Sequence, residues 1–196
     1  MASEYTIRLA TRDGFYPHLR NCTLNSANSL IPDVPTILSL IHELAAYENA
    51  TSSVVATEES LAQTLAFAPS SNNTSSPSTQ NSGYAKTLLL TAPESEVAGM
   101  ALYFHNYSTW RAAPGIYLED LFVKPKYRKR GYGKALIREL AKEVVKIHGG
   151  RLEWSCLNWN KPSLDFYEAL GAKRMSEWVG LRVDGDALNA LAGGKE

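Results

Sequence analysis

A basic turn that contains two glycines has the clearest capacity for chemistry in this sequence. It follows a hydrophobic segment, and the apolar spacing after it predicts a helix over residues 134–148. The first turn of a helix leaves amide hydrogens unpaired and carries a partial positive charge, and glycine lets such a backbone approach an anion closely. The turn therefore predicts a pyrophosphate site, although its spacing fits neither a dinucleotide-binding loop nor a P-loop. Its residues are Arg128, Lys129, Arg130, Gly131, Tyr132, Gly133 and Lys134.

Three motifs together resemble one enzyme family. The pattern Arg128-x-x-Gly131-x-Gly133 after a hydrophobic strand resembles the acetyl-CoA pyrophosphate loop of the GNAT N-acetyltransferases. The segment YLEDLFV at 117–123, and WNKPS at 159–163 with the following Phe166-Tyr167, are similar to the diamine branch of that family, which includes spermidine/spermine and thialysine N-acetyltransferases. The similarity begins near residue 7 and covers most of the chain apart from two insertions.

The resemblance implies an α+β GNAT fold in a single domain over residues 1–196. Such a fold has a mixed, mostly antiparallel central sheet of six to seven strands, flanked by helices, with a strand-loop-helix site for acetyl-CoA as cosubstrate. The strand backbone would contact the pantetheine arm, and the amides of the basic turn would contact the pyrophosphate. The implied cofactor-binding residues outside that turn are Leu121, Phe122, Val123, Asn160, Ser163 and Tyr167.

The resemblance also implies an acidic site for an amine acceptor. Glu119 and Asp120 match an acidic pair of the family, and Glu48 matches a glutamate at the end of its first long helix. Adjacent strand residues point to opposite faces, so these two can share a cleft only if the strand is bulged, and Glu119 is the favoured contact. The implied substrate-binding residues are Tyr47, Glu48, Glu119, Asp120, Glu153, Trp154 and Ser155.

Acetyl transfer to an amine needs a neutral amine, an oriented thioester and a proton for the departing thiolate. An aliphatic ammonium with a pKa near 10.4 costs roughly 4 to 5 kcal/mol to deprotonate at pH 7, so a carboxylate is expected to accept that proton directly or through water. Glu119 is a catalytic candidate, and the identity of the base stays open. No histidine occupies a motif position, and direct attack in a ternary complex is therefore expected. The family motif implies that Tyr167 is the general acid.

These residues predict acetyl transfer to a primary amine of a small diamine or polyamine. Where the polyamine enzymes carry Asp-Pro-Trp, this chain has Ser108-Thr109-Trp110, which lacks the carboxylate. A lysine- or thialysine-type amino acid, or a protein amine, therefore stays open as the acceptor. A non-catalytic sensor that binds acyl-CoA is the remaining alternative.

Composition limits the other functions. The 196 residues suit one domain with a substantial core, and 20 basic and 20 acidic residues cancel, so no global field favours nucleic acid or anionic lipid. No metal-ligand spacing links Cys22 and Cys156 to the four histidines, so no metal is expected. No apolar run approaches the length of a membrane span or a signal core, and we expect a cytoplasmic protein. The family implies a homodimer.

The elements that must position these residues follow from periodicity and turn signals. An insertion with a short helix is expected at 15–31, and a low-complexity, disordered loop at 69–83, because the latter is almost purely polar. Asp33 is predicted to cap the first long helix, and Pro125 to end the central strand. Strands are predicted at 5–9, 86–92, 97–105, 117–123, 151–157 and 178–183, and helices at 33–48, 57–67, 134–148, 161–170 and 186–192.

Overall fold

The structure is a computed structural model, and it describes residues 5–12, 33–68 and 83–193. The predicted insertion at 15–31 and all but residue 83 of the predicted disordered loop lie outside these ranges. The chain forms two compact units, Met1–Ser155 and Cys156–Glu196.

A mixed six-stranded sheet forms the centre of the first unit. Its strand order is β1-β3-β4-β5-β6, with β2 pairing in parallel beside the start of β3. The β1–β3, β3–β4 and β4–β5 pairs are antiparallel, whereas β5 and β6 are parallel, so the predicted GNAT sheet is confirmed. The strands are β1 (Thr6–Leu9), β2 (Leu65–Ala66), β3 (Ala85–Thr91), β4 (Val97–Ser108), β5 (Ala113–Val123) and β6 (Leu152–Trp154).

The described part of this unit has three α-helices, and their apolar faces pack on the sheet. The helices are α1 (Asp33–Tyr47), α2 (Glu58–Thr64) and α3 (Tyr132–Lys146). Ile37 and Leu40 of α1 are fully buried in one cluster with Leu89, Met100 and Phe122 of the sheet. Leu136 and Leu140 of α3 are equally buried, as the helical spacing of its apolar residues predicts. None of the helices in the described residues is long and apolar enough to cross a bilayer.

The start of α1 is tied to β1 by an ion pair that the sequence did not predict. Asp33 was expected to be the N-cap, but it is the first helical residue and only 1% exposed. Its carboxylate accepts hydrogen bonds from both terminal nitrogens of Arg8, at 2.7 and 2.8 Å, and from the amide of Thr11 at 2.7 Å. A bidentate guanidinium–carboxylate pair of this kind holds both partners in one orientation, so it fixes the helix against the sheet edge.

Several predicted boundaries in the first unit are wrong. Strand β4 continues to Ser108 and β5 begins at Ala113, beyond the predicted ranges 97–105 and 117–123. The helix predicted at 57–67 begins at Glu58, with the Thr57 hydroxyl as its cap accepting from the amide of Ser60, and it ends at Thr64. Leu65 and Ala66 pair with β3, because a free position beside that strand competes with further helical turns. The strand predicted at 151–157 is limited to Leu152–Trp154, the residues of this described segment that pair with β5 in a ladder.

The second unit contains α4 (Lys161–Ala169) and α5 (Gly185–Leu191), close to the predicted helices. The strand predicted at 178–183 is wrong, since residues 173–184 form no strand. Its alternating apolar residues have the propensity for a strand, but a strand also needs a neighbour that accepts its backbone hydrogen bonds. The large apolar side chains exposed in this segment are Met175, Trp178, Val179, Leu181 and Val183.

Candidate active site

A β-bulge lies at the acidic pair of β5. The register pairs Asp120 with Leu102 and then Leu118 with Tyr103, so Glu119 is an extra residue with no partner on β4. A bulge interrupts the alternation of side chains along a strand. Because β5 is bulged here, Glu119 and Asp120 are not forced to opposite faces and can share a cleft.

The sheet opens on the other side of the same segment. The parallel ladder between β5 and β6 has three residue pairs and ends where Leu118 faces Trp154. Strand β5 continues to Val123, while β6 stops at Trp154. Residues 119–123 therefore have no β6 neighbour, and backbone groups on this edge are available to a ligand. This is the place where the resemblance puts the pantetheine arm, although the Val123 carbonyl already accepts from Arg128 Nε at 3.0 Å.

Two carboxylates, Glu119 and Glu48, act on a third, Asp120, at this opening. Burial raises the pKa of Asp120 to about 6, and repulsion from Glu119 and Glu48 contributes to that increase. Burial also raises the pKa of Glu48, which directly follows the last residue of α1. Glu119 is exposed, whereas Asp120 and Glu48 are half-buried. Negative charge that is partly withdrawn from water attracts an ammonium group more strongly than exposed carboxylates do.

The other residues predicted to bind the amine substrate contact neighbouring residues of the protein. Glu153 accepts a hydrogen bond from Asn106 Nδ2 at 2.6 Å and forms an ion pair with Arg151 at 2.7 Å. The hydroxyl of Ser155 lies 2.7 Å from that of Tyr117. Trp154 is half-buried in β6, opposite Leu118. The charge of Glu153 is thus balanced within the protein, so less of it is available to an acceptor.

The basic turn has the backbone of an anion site. Helix α3 begins at Tyr132, two residues before the predicted start, and its N-cap Gly131 has φ of 82° with no side chain capping the helix. Lys129 also has a positive φ, at 64°, so the turn bends sharply before the helix begins. A Cβ placed on Gly131 would meet no atom within 4 Å, so space is open beside the first-turn amides. This exposed, uncapped helix start fits the pyrophosphate of acetyl-CoA.

Three basic side chains in and before the turn are paired with acidic ones. Arg130 contacts Glu94 at 2.8 Å, and Lys124 and Lys126 contact Glu96 at 3.1 and 2.5 Å. The guanidinium of Arg128 lies 4.8 Å from the ring centre of Tyr47. Sequence reasoning missed Glu94 and Glu96, which lie in the turn between β3 and β4. Only the sheet topology brings that turn to the basic segment more than 25 residues later.

The remaining predicted residues lie in the second unit. The side-chain oxygen of Asn160 accepts from the amide of Ser163 at 3.3 Å and caps α4, where the sequence allowed either Asn160 or Lys161. Pro162 occupies the first turn of that helix, where its missing amide hydrogen has no cost. Tyr167 is half-buried in α4, and its ring centre lies 5.2 Å from that of Phe166.

Comparison with known proteins agrees with this arrangement. Residues 66–172, more than half of the chain, match the Acetyltransferase (GNAT) family. The chain belongs to this GNAT acetyltransferase family. It is an enzyme of acetyl transfer, and members of the family use acetyl-CoA as cosubstrate.

The similarity to named relatives extends over most of this chain. It is 35% identical to an L-ornithine N5-acetyltransferase of Arabidopsis thaliana, over 81% of this chain and 83% of the relative. It is 36% identical to the thialysine N-epsilon-acetyltransferase of Bos taurus, over 82% and 92% of the two chains. An integron cassette protein of Vibrio cholerae, with 23% identity and a TM-score of 0.66, shares the fold over 96% of this chain and 97% of its own.

Proposed function

We propose that this acetyltransferase acetylates the terminal primary amine of a short diamino compound, of the size of ornithine or thialysine. The observation that carries the proposal is the group of three interacting carboxylates, Glu48, Glu119 and Asp120, at the open edge of β5. The activities for which the two relatives are named support a diamino acid over a long polyamine. The absence of a carboxylate in Ser108-Thr109-Trp110 points the same way. Diamines and polyamines remain the second candidates.

The chain's own residues divide the work between donor and acceptor. Acetyl-CoA supplies an acetyl group already activated as a thioester. The backbone of Leu121–Val123 and the amides of the turn around Gly131 would hold it, with Asn160 and Ser163 contributing contacts that the family motif implies. Tyr47 and the three carboxylates would bind the acceptor and direct its amine. Binding both reactants in one complex removes most of the entropy cost of their encounter.

A carboxylate must take the proton of the acceptor ammonium. The sequence leaves the identity of this base open, and Asp120 is the strongest candidate because its pKa is raised to about 6. A base whose pKa lies close to the working pH is ionised there and still holds a proton better than an exposed carboxylate does. Glu119 would then bind the distal charge of the acceptor and sustain the raised pKa of Asp120.

Tyr167 is proposed as the acid that protonates the departing thiolate, as the family motif implies. Replacing Tyr167 with Phe should lower kcat at least about tenfold while the affinity for acetyl-CoA changes little, because the ring is kept and only the hydroxyl is lost. Unchanged turnover of this variant would remove Tyr167 from the mechanism. A protein that only senses acyl-CoA would show no turnover in either form.

An acceptor panel tests the substrate class. Purified protein and acetyl-CoA would be mixed with ornithine, lysine, thialysine, putrescine, spermidine, spermine and a lysine-containing peptide, and release of CoA would be followed. We expect the highest kcat/KM with ornithine or thialysine, and Glu119→Gln should lower kcat/KM while leaving the KM for acetyl-CoA unchanged. A preference for spermine would instead establish the polyamine alternative. Activity with the peptide alone would contradict the small-molecule proposal.

We also propose that the enzyme is a cytoplasmic homodimer. Cellular acetyl-CoA supports the location, and the exposed apolar residues of the segment 173–184 support self-association, because isolated monomers rarely leave such stretches in water. Sedimentation velocity over a range of concentrations should detect a dimer. A monomer at all concentrations would contradict the assignment.

A further inference from the structure

We propose that Glu96, in the turn between β3 and β4, is a positioning residue that holds the pyrophosphate turn in its binding conformation before acetyl-CoA arrives. The inference rests on the proposed use of that turn for the cosubstrate. Under this proposal, the affinity for acetyl-CoA depends on Glu96 as well as on the glycine turn, although Glu96 lies on a different part of the sheet.

Glu96 joins three donors that lie immediately before the turn. Its carboxylate accepts from Lys126 Nζ at 2.5 Å, from Tyr127 Oη at 2.9 Å and from Lys124 Nζ at 3.1 Å. These residues flank and form the short 3-10 helix Pro125–Tyr127, which leads directly into Arg128. A single carboxylate therefore ties this short helix to the β3–β4 turn. The three hydrogen bonds lower the pKa of Glu96 to about 2, so it stays ionised at every pH at which the enzyme works.

The contact continues from Tyr127 to the start of α3. Tyr127 is 4% exposed, and its ring centre lies 6.3 Å from that of Tyr132, the first residue of the helix. Tyr132 is 6% exposed and is packed against Tyr5, with 5.5 Å between the ring centres. Buried aromatic rings in contact restrict one another's rotation and position. Glu96 and Tyr132 thus hold the two ends of the turn that contains Lys129 and Gly131.

Preorganisation is valuable here because the turn itself is conformationally unfavourable. Lys129 and Gly131 both have positive φ, and a lysine pays steric energy for that conformation. A turn without an anchor would relax when no anion is bound, and binding would then have to restore it. Fixing the binding conformation in advance removes that cost from the affinity.

Glu94 provides a control with the same charge. It lies two residues from Glu96, contacts one donor, Arg130, at 2.8 Å, and is 52% exposed. Glu94→Gln and Glu96→Gln each remove one negative charge beside the turn. An effect that comes only from charge would be the same in both variants, and it would strengthen the binding of an anionic cofactor. A positioning effect would appear in Glu96→Gln alone and would weaken binding.

The experiment compares donors with and without the pyrophosphate. Calorimetry with CoA should show binding at least about tenfold weaker for Glu96→Gln than for the wild type, and no weaker for Glu94→Gln. With a saturating amine, Glu96→Gln should lose kcat/KM for acetyl-CoA by the same factor. Its kcat/KM for S-acetylpantetheine, which lacks the pyrophosphate, should be unchanged. A general loss of folding would lower the rates with both donors.

Tyr127→Phe supplies a second variant that keeps every charge. It removes only the hydrogen bond to Glu96, so it should weaken CoA binding in the same direction by a smaller factor. Equal effects of Glu94→Gln and Glu96→Gln, or equal losses with both donors, would overturn the role of Glu96. If the wild type itself bound no CoA, the proposed function would fail instead.

Discussion

Asp120 should set the acidic limb of the pH dependence of acetyl transfer. Its pKa is raised to about 6 by burial and by two neighbouring carboxylates, so it is ionised above that pH and protonated below it. An ionised base is needed to accept the amine proton, so log kcat/KM should fall with an additional unit of slope below about pH 6. Asp120→Asn should lower kcat/KM and lose this break, and a pH series of initial rates would measure both.

Glu119→Gln is the matched variant for this prediction. Removing the negative charge beside Asp120 lowers the pKa of Asp120, so the break should move to lower pH instead of disappearing. A break that stays in place in both variants would belong to another group and would contradict the assignment of the base.

The same carboxylate has a consequence for stability. A pKa that is higher in the folded protein than the ordinary 3.8 means that the folded state binds the proton more tightly than the unfolded chain does. Asp120 therefore lowers the free energy of unfolding as the pH rises from about 4 to 6, by at most about 3 kcal/mol for a shift of this size. Asp120→Asn should gain stability at pH 7 and little at pH 4, which denaturant titrations at the two pH values would detect.

Individual site residues differed in how well the sequence predicted them. The helix start at Gly131 follows from a local pattern, because a glycine turn before an apolar helical repeat is visible in a short stretch. The acidic pair was singled out by the family resemblance. The partners of Glu153 are not, since Asn106 is 47 positions away and meets it only across the sheet. Pairing of this kind decides which charge remains available to a ligand.

The turn between β5 and α3 should tolerate little change at Gly131, which has a left-handed backbone conformation. Gly131→Ala places a Cβ where φ is 82°, which costs about 1 to 2 kcal/mol although the Cβ meets no atom within 4 Å. We therefore expect lower stability and weaker CoA binding without any steric clash. Thermal unfolding and calorimetry on the purified variant measure the two effects.

Lys129→Gly tests the same idea in reverse, because it relieves backbone strain where Gly131→Ala introduces it. Lys129 already has a φ of 64°, and glycine relieves that conformation, so this variant should unfold no more easily than the wild type despite its greater backbone freedom. A loss of stability equal to that of Gly131→Ala would show that backbone strain does not explain either result.

The elements themselves were largely predictable because hydrophobic periodicity determines them. The spacing of apolar residues in α1 and α3 identifies both helices, and Pro162 with Asn160 identifies the start of α4. The sequence showed that Glu119 and Asp120 could share a cleft only if the strand were bulged, but it could not predict the bulge itself. A register shift depends on the partner strand β4 as well as on β5. The strand expected at 178–183 failed for the related reason that propensity does not supply a pairing partner.

At the scale of the whole molecule, the two units differ in how they are stabilised. The first has a contiguous apolar core on the sheet. Among the described residues 156–193, Asn160 alone is buried, and no large apolar side chain is. A unit of this length without a core of its own has too little buried surface to offset its conformational entropy. In the proposed homodimer, a second copy would cover the exposed apolar segment 173–184.

Limited proteolysis should therefore depend on protein concentration. Trypsin cleaves after Lys173, Arg174 and Arg182, which lie among the exposed apolar residues of the segment 173–184. If two copies cover this segment, cleavage there should become severalfold slower as the protein is concentrated through the dimerisation range, because a buried backbone is not accessible to the protease. Leu181→Asp, which places a charge in the contact, should stay monomeric and be cleaved at a rate independent of concentration. Equal cleavage rates in wild-type monomer and dimer would show that the dimer uses another surface.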